Sequence, residues 1–367
     1  MAEVLKGEFG MPSSTHAFGR SAKAIVETAR KEIAAILNAD AAEIIFTSGG
    51  TEADNFILKG CVQGLEVKRI ISSRIEHHAV LHSLEALESE FGTKIEFVQV
   101  DEKGFVNLEH LEELLKNSNE KTLVSLMHVN NEVGTLLDID AVGDLCEKYD
   151  AFFHSDTVQS IGHFPLDFSQ NKIDFATAAA HKFHGPKGVG FAYIRKGSGM
   201  EPLIHGGGQE RGMRAGTEPV YAIAGMHCAM NLAYDNLETS SAYIQNIKDY
   251  FITELKKAVP GVTFNGACAD KDNSTYTLVN FSLPIDKKRA LLLLFQLDLK
   301  GIACSQGSAC QSGSNTGSHV LHELLGEEAG EKSALRFSFS TFNTKEEVDY
   351  AVAILKEYAV NDVKQKV

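Results

Sequence analysis

Positive charge is scarce and scattered in this sequence: 35 lysines and arginines stand against 49 aspartates and glutamates, a formal charge of -14. No Lys/Arg cluster is present that would track a phosphate backbone, which argues against general nucleic-acid binding. Long apolar runs are also missing. The start, MAEVLKGEFGMPSS, has neither the basic region nor the apolar stretch of a signal peptide, and the longest apolar cluster, Ala290 to Phe295, is far too short to span a bilayer. A soluble cytoplasmic chain with no membrane partner is expected. The 6 cysteines (Cys61, Cys146, Cys228, Cys268, Cys304, Cys310) follow no framework spacing, as suits reduced thiols in a large intracellular protein. His181, His184 and Cys310 lack a zinc spacing, so no metal site is expected. Internal repeats, coiled-coil heptads and low-complexity runs are absent as well.

What is present is a chain of 367 residues, 44% hydrophobic, long enough for a large core and a second, smaller domain. Apolar residues Ile25, Val26, Ala29, Ile33, Ile36 and Leu37 share one helical face. Short apolar strands then alternate with helices through the first half, at Glu43 to Phe46, Arg69 to Ser72, Leu123 to Val129, Ala151 to His154, from Phe175, and Gly188 to Ile194. That alternation predicts an α/β sheet, mostly parallel and flanked by helices, with ligands at the carboxyl ends of its strands. Helical segments from Tyr221 to Leu237 and on to Ala258 lead into a small α+β region. The expected domains are 1–238 and 239–367.

Polar groups gather where the strands end. The stretch TSGGTEADN (Thr47 to Asn55) runs from strand through two glycines into a helix; its unpaired amides and the Thr51 hydroxyl suit a phosphate. His77 and His78 lie at the next strand-to-helix switch, Asn130 and Asn131 after the third strand, Asp156 and Gln159 after the fourth. The chain centres on DFATAAAHKFHGPKGVG (Asp174 to Gly190), where Lys182 stands between an apolar strand and a Gly-rich turn. Such a lysine is expected to be poorly hydrated, which disfavours its charged form and makes it an amine able to hold an aldehyde cofactor as a Schiff base. The loop HGGGQERGMRAGTEP (His205 to Pro219) suits anion contact through Arg211 and Arg214. Cys310 lies in a Gly/Ser/Asn-rich segment, Gly301 to Leu321, expected to be exposed and flexible, which places a thiol for reaching into a site rather than for packing. Cys304 is assigned to structure, at the end of a strand from Gly301 to Ala303.

The ordered motifs SGGTEADN, EHHAV, HVNNEVG, HSDTVQS, AHKFHGPKGVG, GGGQERGMRAGT, GSACQSGS and LRFSFS resemble those of the group I cysteine desulfurases, within the class V aminotransferase family. The resemblance implies fold type I, pyridoxal 5'-phosphate, a homodimer, and conversion of L-cysteine to L-alanine with sulfur left as a persulfide. It implies that Lys182 holds the cofactor aldehyde and moves the α proton, that Asp156 pairs with the pyridine nitrogen, and that Gln159 bonds the phenolic oxygen. His77 would lie flat on the ring. Gly50, Thr51 and His181 would hold the phosphate, and Thr217 would come from the second subunit. Arg336, with Asn130 beside it, would take the substrate carboxylate, and Cys310 would accept the sulfur and pass it to an acceptor such as an iron-sulfur scaffold protein. Ala179 stands where the family usually has a phosphate-binding serine, Met11 where it has asparagine, and the family's first strand is missing from this chain. A selenocysteine lyase or transaminase of the same fold, and a truncated inactive homologue that binds in sulfur transfer, are the alternatives.

Overall fold

The computed structural model describes residues 1–285, 287–306, 317–326 and 333–365. Its contacts divide the chain into two units: residues 1–99, 108–128 and 138–237 form one, and 100–107, 129–137 and 238–367 the other.

The first unit opens with α1 (Ala2–Gly7) and α2 (Ala17–Ile36). Helix α2 starts where the His16 side chain accepts the Gly19 amide, satisfying a donor that the first turn leaves unpaired. Its buried face, Ala22, Val26, Ala29 and Ile33, repeats at helical spacing. There follow β1 (Ile44–Thr47), α3 (Gly50–Gln63), β2 (Arg69–Ser72), α4 (His78–Phe91), β3 (Lys94–Phe97), α5 (Leu108–Lys116), β4 (Thr122–Ser125), α6 (Ile139–Lys148), β5 (Phe152–Asp156), β6 (Phe175–Ala179), β7 (Gly190–Ile194) and α7 (Val220–Asp235). The strands make one sheet in the order β1-β7-β6-β5-β4-β2-β3.

Pairing is parallel from β3 across to β6, while β7 runs antiparallel to both β6 and β1. The carboxyl ends of β1, β2, β4, β5 and β6 therefore open on one edge of the sheet, where ligands of such folds sit. Strands β1, β2, β4 and β6 are buried throughout, as expected for a sheet covered on both faces. Edge strand β3 is partly exposed and begins with Lys94, a charge that discourages further pairing.

The second unit contains α8 (Leu237–Ala258) after its first residue, then β8 (Thr263–Phe264), β9 (Leu278–Leu283), α9 (Lys287–Asp298), α10 (His319–Leu325), β10 (Ser333–Ser338) and α11 (Lys345–Gln365). Its sheet, β10-β9-β8, is antiparallel. Phe251 of α8 packs its ring 5.5 Å from Phe281 and 5.2 Å from Phe337. Burying a ring of this size contributes about 1.5–3 kcal/mol.

Two expectations need correction here. Residues Gly301 to Ala303 are a turn and irregular chain rather than a strand; Ser305 makes the nearest bridge, to Arg336. Strand β4 ends at Ser125, before Val129, because Met127 gives its amide to the Glu76 carboxylate instead of to a neighbouring strand. Cys304 therefore ends no strand; it packs against the core of the second unit.

Candidate active site

In the first unit, the edge formed by the strand ends collects most of the residues singled out in the sequence. Strand β1 turns through Gly49, whose φ of 149° and ψ of -173° are conformations that side chains avoid, into α3. That helix has no side-chain cap. Its first-turn amides, at Gly50, Thr51 and Glu52, follow the end of β1, and Thr51 is exposed. The turn is crowded from behind: a Cβ at Gly50 would lie 2.8 Å from Val158 Cγ2, and one at Gly190 2.9 Å from Gly49 Cα. Backbone amides at an uncapped helix start form an anion site.

Asp156 is the last residue of β5 and only 6% exposed. Its Oδ1 accepts the Val158 amide at 2.9 Å, and Oδ2 takes no hydrogen bond among the described residues. Burial, and after it the charge of Asp54, pushes this carboxyl up to about 7, while Val158, His154 and Lys182 pull it down. Lys182 follows β6, in a turn of 3-10 helix at Ala180–Phe183 whose carbonyl at Lys182 meets His163 Nε2 at 2.9 Å. Ala179, the last residue of β6, is buried with 1% exposure, and Gln159 is half-buried beyond β5. His77 caps α4, its Nδ1 accepting the Ala79 amide at 3.1 Å. His181 is exposed, and its imidazole is pushed down by burial and by Lys182 and Lys187.

The expected poor hydration of Lys182 is not met: its side chain is exposed. The strand ends at Ala179, and the 3-10 turn carries Lys182 beyond the buried layer to the open edge of the sheet. The arginines of the Gly-rich loop are both paired within the chain. Arg214 forks onto Glu52 at 2.7 and 3.0 Å, and Arg211 bonds the Ala41 carbonyl at 2.7 Å and Glu27 at 3.2 Å. Thr217 of that loop is exposed.

The second unit holds Asn130 and Arg336. Asn130 is buried, and its Oδ1 accepts the amides of Glu132 at 2.9 Å and Val133 at 3.0 Å, a local turn that tolerates this side chain. Arg336 lies on β10 opposite Asn280 of β9 and gives Nη1 to the Asn131 carbonyl at 2.7 Å. Cys310 lies outside the described residues.

A group of buried side chains that the sequence reading passes over lies below Asp156. Asp54 of α3 accepts Thr177 Oγ1 at 2.8 Å; His154 Nε2 is 3.2 Å from Thr177 Oγ1 and its Nδ1 2.9 Å from Ser125 Oγ. Burial pushes His154 and His128 down to about 4, and Glu76 well up. The signal was present in HSD, since residues 154 and 156 of a strand share a face.

These residues fit a phosphorylated aldehyde with a basic ring nitrogen. Uncapped amides suit the phosphate, a buried carboxylate whose Oδ2 takes no hydrogen bond among the described residues suits the nitrogen, and an exposed amine just beyond the end of the adjacent strand suits the aldehyde. Among the described residues no group of histidines, cysteines and carboxylates could hold a metal ion, and no helix is long and apolar enough to cross a membrane.

A family model for class-V aminotransferases matches residues 1–351. Cysteine desulfurase IscS of Dictyoglomus turgidum is 41% identical over 358 residues, 97% of this chain and 89% of that protein. Its counterpart in Clostridium botulinum strain Kyoto is 42% identical over 349 residues, 95% of this chain and 86% of that one. A solved NifS-like protein superposes with a TM-score of 0.87 at 35% identity, covering 97% of this chain and 93% of the other.

Proposed function

The chain belongs to the class-V aminotransferase family, and from that premise we propose that it is a pyridoxal 5'-phosphate-dependent cysteine desulfurase, converting L-cysteine to L-alanine and retaining the sulfur on Cys310. The observation that carries the reading is the placement of Lys182 and Asp156 at the ends of two neighbouring parallel strands, near enough for the lysine charge to act on the carboxyl.

When bound, the cofactor supplies an aldehyde and an electron-withdrawing ring that acidify the α proton of an amino acid. Lys182 Nζ would hold the aldehyde and, once free, take the α proton as a base and return it to carbon. The Asp156 carboxylate would keep the ring nitrogen protonated, Gln159 would donate to the phenolic oxygen, and His77 would cover the ring face. Amides at Gly50 and Thr51, with His181, would bind the phosphate. Ala179 brings no hydroxyl to it, which weakens affinity by about 1 kcal/mol. Arg336 would take the substrate carboxylate as a two-point contact, with Asn130 beside it.

Cys310, as a thiolate, would attack the substrate sulfur: the carbon-sulfur pair stays on carbon, which gains a proton and leaves as alanine, and a sulfur-sulfur bond forms on the protein. A homodimer is supported by the exposed Thr217 loop and by large apolar side chains left in water, Phe9 at 73%, Phe18 at 56% and Leu232 at 60% exposure. The sulfur then passes to an acceptor, for which an iron-sulfur scaffold protein in the cytoplasm is the proposed partner. The decisive assay measures alanine and sulfide from L-cysteine with cofactor and a thiol. Wild type is expected to release both and Cys310→Ala almost none. No alanine from wild type would overturn the reading, and undiminished alanine from the variant would overturn the role of Cys310.

A further inference from the structure

Strand β5 points His154 and Asp156 to one face of the sheet, and Thr177 of β6 stands in register with Asp156. Helix α3 covers that face: a Cβ at Gly50 would lie 3.7 Å from Thr177 Cγ2 and 3.8 Å from Ala179 Cβ. One turn into the helix, Asp54 drops onto the same spot with 1% exposure, taking the Thr177 hydroxyl at 2.8 Å and lying 3.5 Å from His154 Nε2. No role in the reaction proposed above uses Asp54, yet it costs several kcal/mol to bury an ionised carboxylate without a cationic partner. His154 does not supply that partner, because burial keeps it neutral.

We infer that Asp54 is a positioning residue of the cofactor site: through Thr177 it ties the phosphate-binding helix to the strand that leads to Lys182, beside the strand bearing Asp156, and its carboxylate opposes the charge on Asp156. The inference rests on the cofactor reading above. Among the described residues, the groups facing Asp156 are Asp54 from α3, His154 on its own strand, Lys182 after β6 and Glu76 ahead of α4, while the backbone amide of His128, after β4, meets the Asp156 carbonyl at 3.0 Å. Burial keeps both imidazoles neutral near pH 7 and pushes the Glu76 carboxyl well up. Asp54, itself pushed up to about 7 by burial, is the neighbouring carboxyl that acts most strongly on Asp156 and titrates in this range. Two carboxyls so placed ionise in succession rather than together.

The test is the dissociation constant of pyridoxal 5'-phosphate from the full chain, measured without substrate from pH 5.5 to 8.5 for wild type, Asp54→Asn and Thr177→Val. The asparagine keeps the acceptor for Thr177 and removes the charge. Its Asp156 ionises more easily, so the midpoint at which affinity rises with pH is expected to fall by about one unit. Thr177→Val, which removes the bond favouring ionised Asp54, is expected to move the midpoint the same way by less. Contributions from the cofactor phosphate are common to all three proteins. A uniform loss of affinity with the midpoint unmoved in the variants would overturn the inference while leaving the cofactor reading intact; if Asp54→Asn fails to fold, Thr177→Val alone decides. A wild type that takes up no cofactor would overturn both.

Discussion

Ser305 and Arg336 exchange two backbone hydrogen bonds, of 3.1 Å and 2.7 Å, so the segment that leads toward Cys310 is pinned to the strand bearing the proposed carboxylate-binding arginine. The guanidinium is held in turn by the Asn131 carbonyl at 2.7 Å. Arg336→Lys leaves the backbone bridge in place but replaces a planar fork with a point charge. The expected result is a rise in KM for L-cysteine of about tenfold or more, equivalent to ~1.4 kcal/mol or more, with a smaller change in kcat. Steady-state kinetics check this, and an unchanged KM would remove Arg336 from the substrate site.

Arg30 and Glu210 form a second fork, Nη1 to Oε2 at 2.6 Å and Nη2 to Oε1 at 2.9 Å, with both side chains only 2% exposed. The same carboxylate accepts the Phe46 amide at 2.8 Å, and Glu210 and Arg211 take left-handed φ values of 47° and 57°. This pair fastens the Thr217 loop to α2 and β1. Glu210→Ala would leave the buried Arg30 guanidinium with only Glu27 at 3.1 Å and the Ile44 carbonyl at 2.6 Å, at a cost of about 3 kcal/mol. Urea unfolding is expected to show a loss of that size, and a loss below about 1 kcal/mol would mean the pair is not what holds the loop.

The parallel sheet was legible because its strands are short apolar runs closed by polar motifs; Arg69 to Ser72 was read to the residue. Strand β3 escaped because half of its four residues are charged and it lies on an edge. Helix α5 carried a readable face in Leu111 and Leu115, but its charged remainder masked it. Partner choice was the other gap. Composition does not say whether Arg214 meets a ligand or Glu52, nor that Asp54 pairs with Thr177, because each contact joins residues more than a hundred positions apart. The hydration of Lys182 depended on where β6 stops, and boundaries are what a sequence specifies least.

Lys248 of α8 is 1% exposed, its Nζ donating to the Thr275 carbonyl at 2.6 Å and Ser274 Oγ at 3.0 Å. Burial pushes its ammonium down to about 8, whereas an unfolded lysine holds its proton to about 10.4. Between those values the unfolded chain binds more protons, so this residue makes stability rise with pH, by about 3 kcal/mol over the whole interval. Unfolding in urea at pH 7.5 and 10.5 is expected to show a gain that Lys248→Met lacks. Identical slopes for the two proteins would show that the lysine is not depressed.

Gly190 opens β7 in register with Thr47 on one side and Ala179 on the other, between the strand that feeds the phosphate-binding turn and the strand that feeds Lys182. A Cβ there would lie 2.2 Å from the Ala178 carbonyl oxygen and 2.9 Å from Gly49 Cα. Both obstacles are backbone, so neither can turn aside as a flexible side chain would. Gly190→Ala must spread β6 from β7 or push Gly49 outward, a cost of about 2 kcal/mol or more. Displacing Gly49 also re-aims the first amides of α3. The expected outcome is a lowered Tm together with a weaker affinity for pyridoxal 5'-phosphate, read by absorbance titration. A Tm loss with cofactor affinity unchanged would show that the turn at Gly49 is not part of the phosphate site.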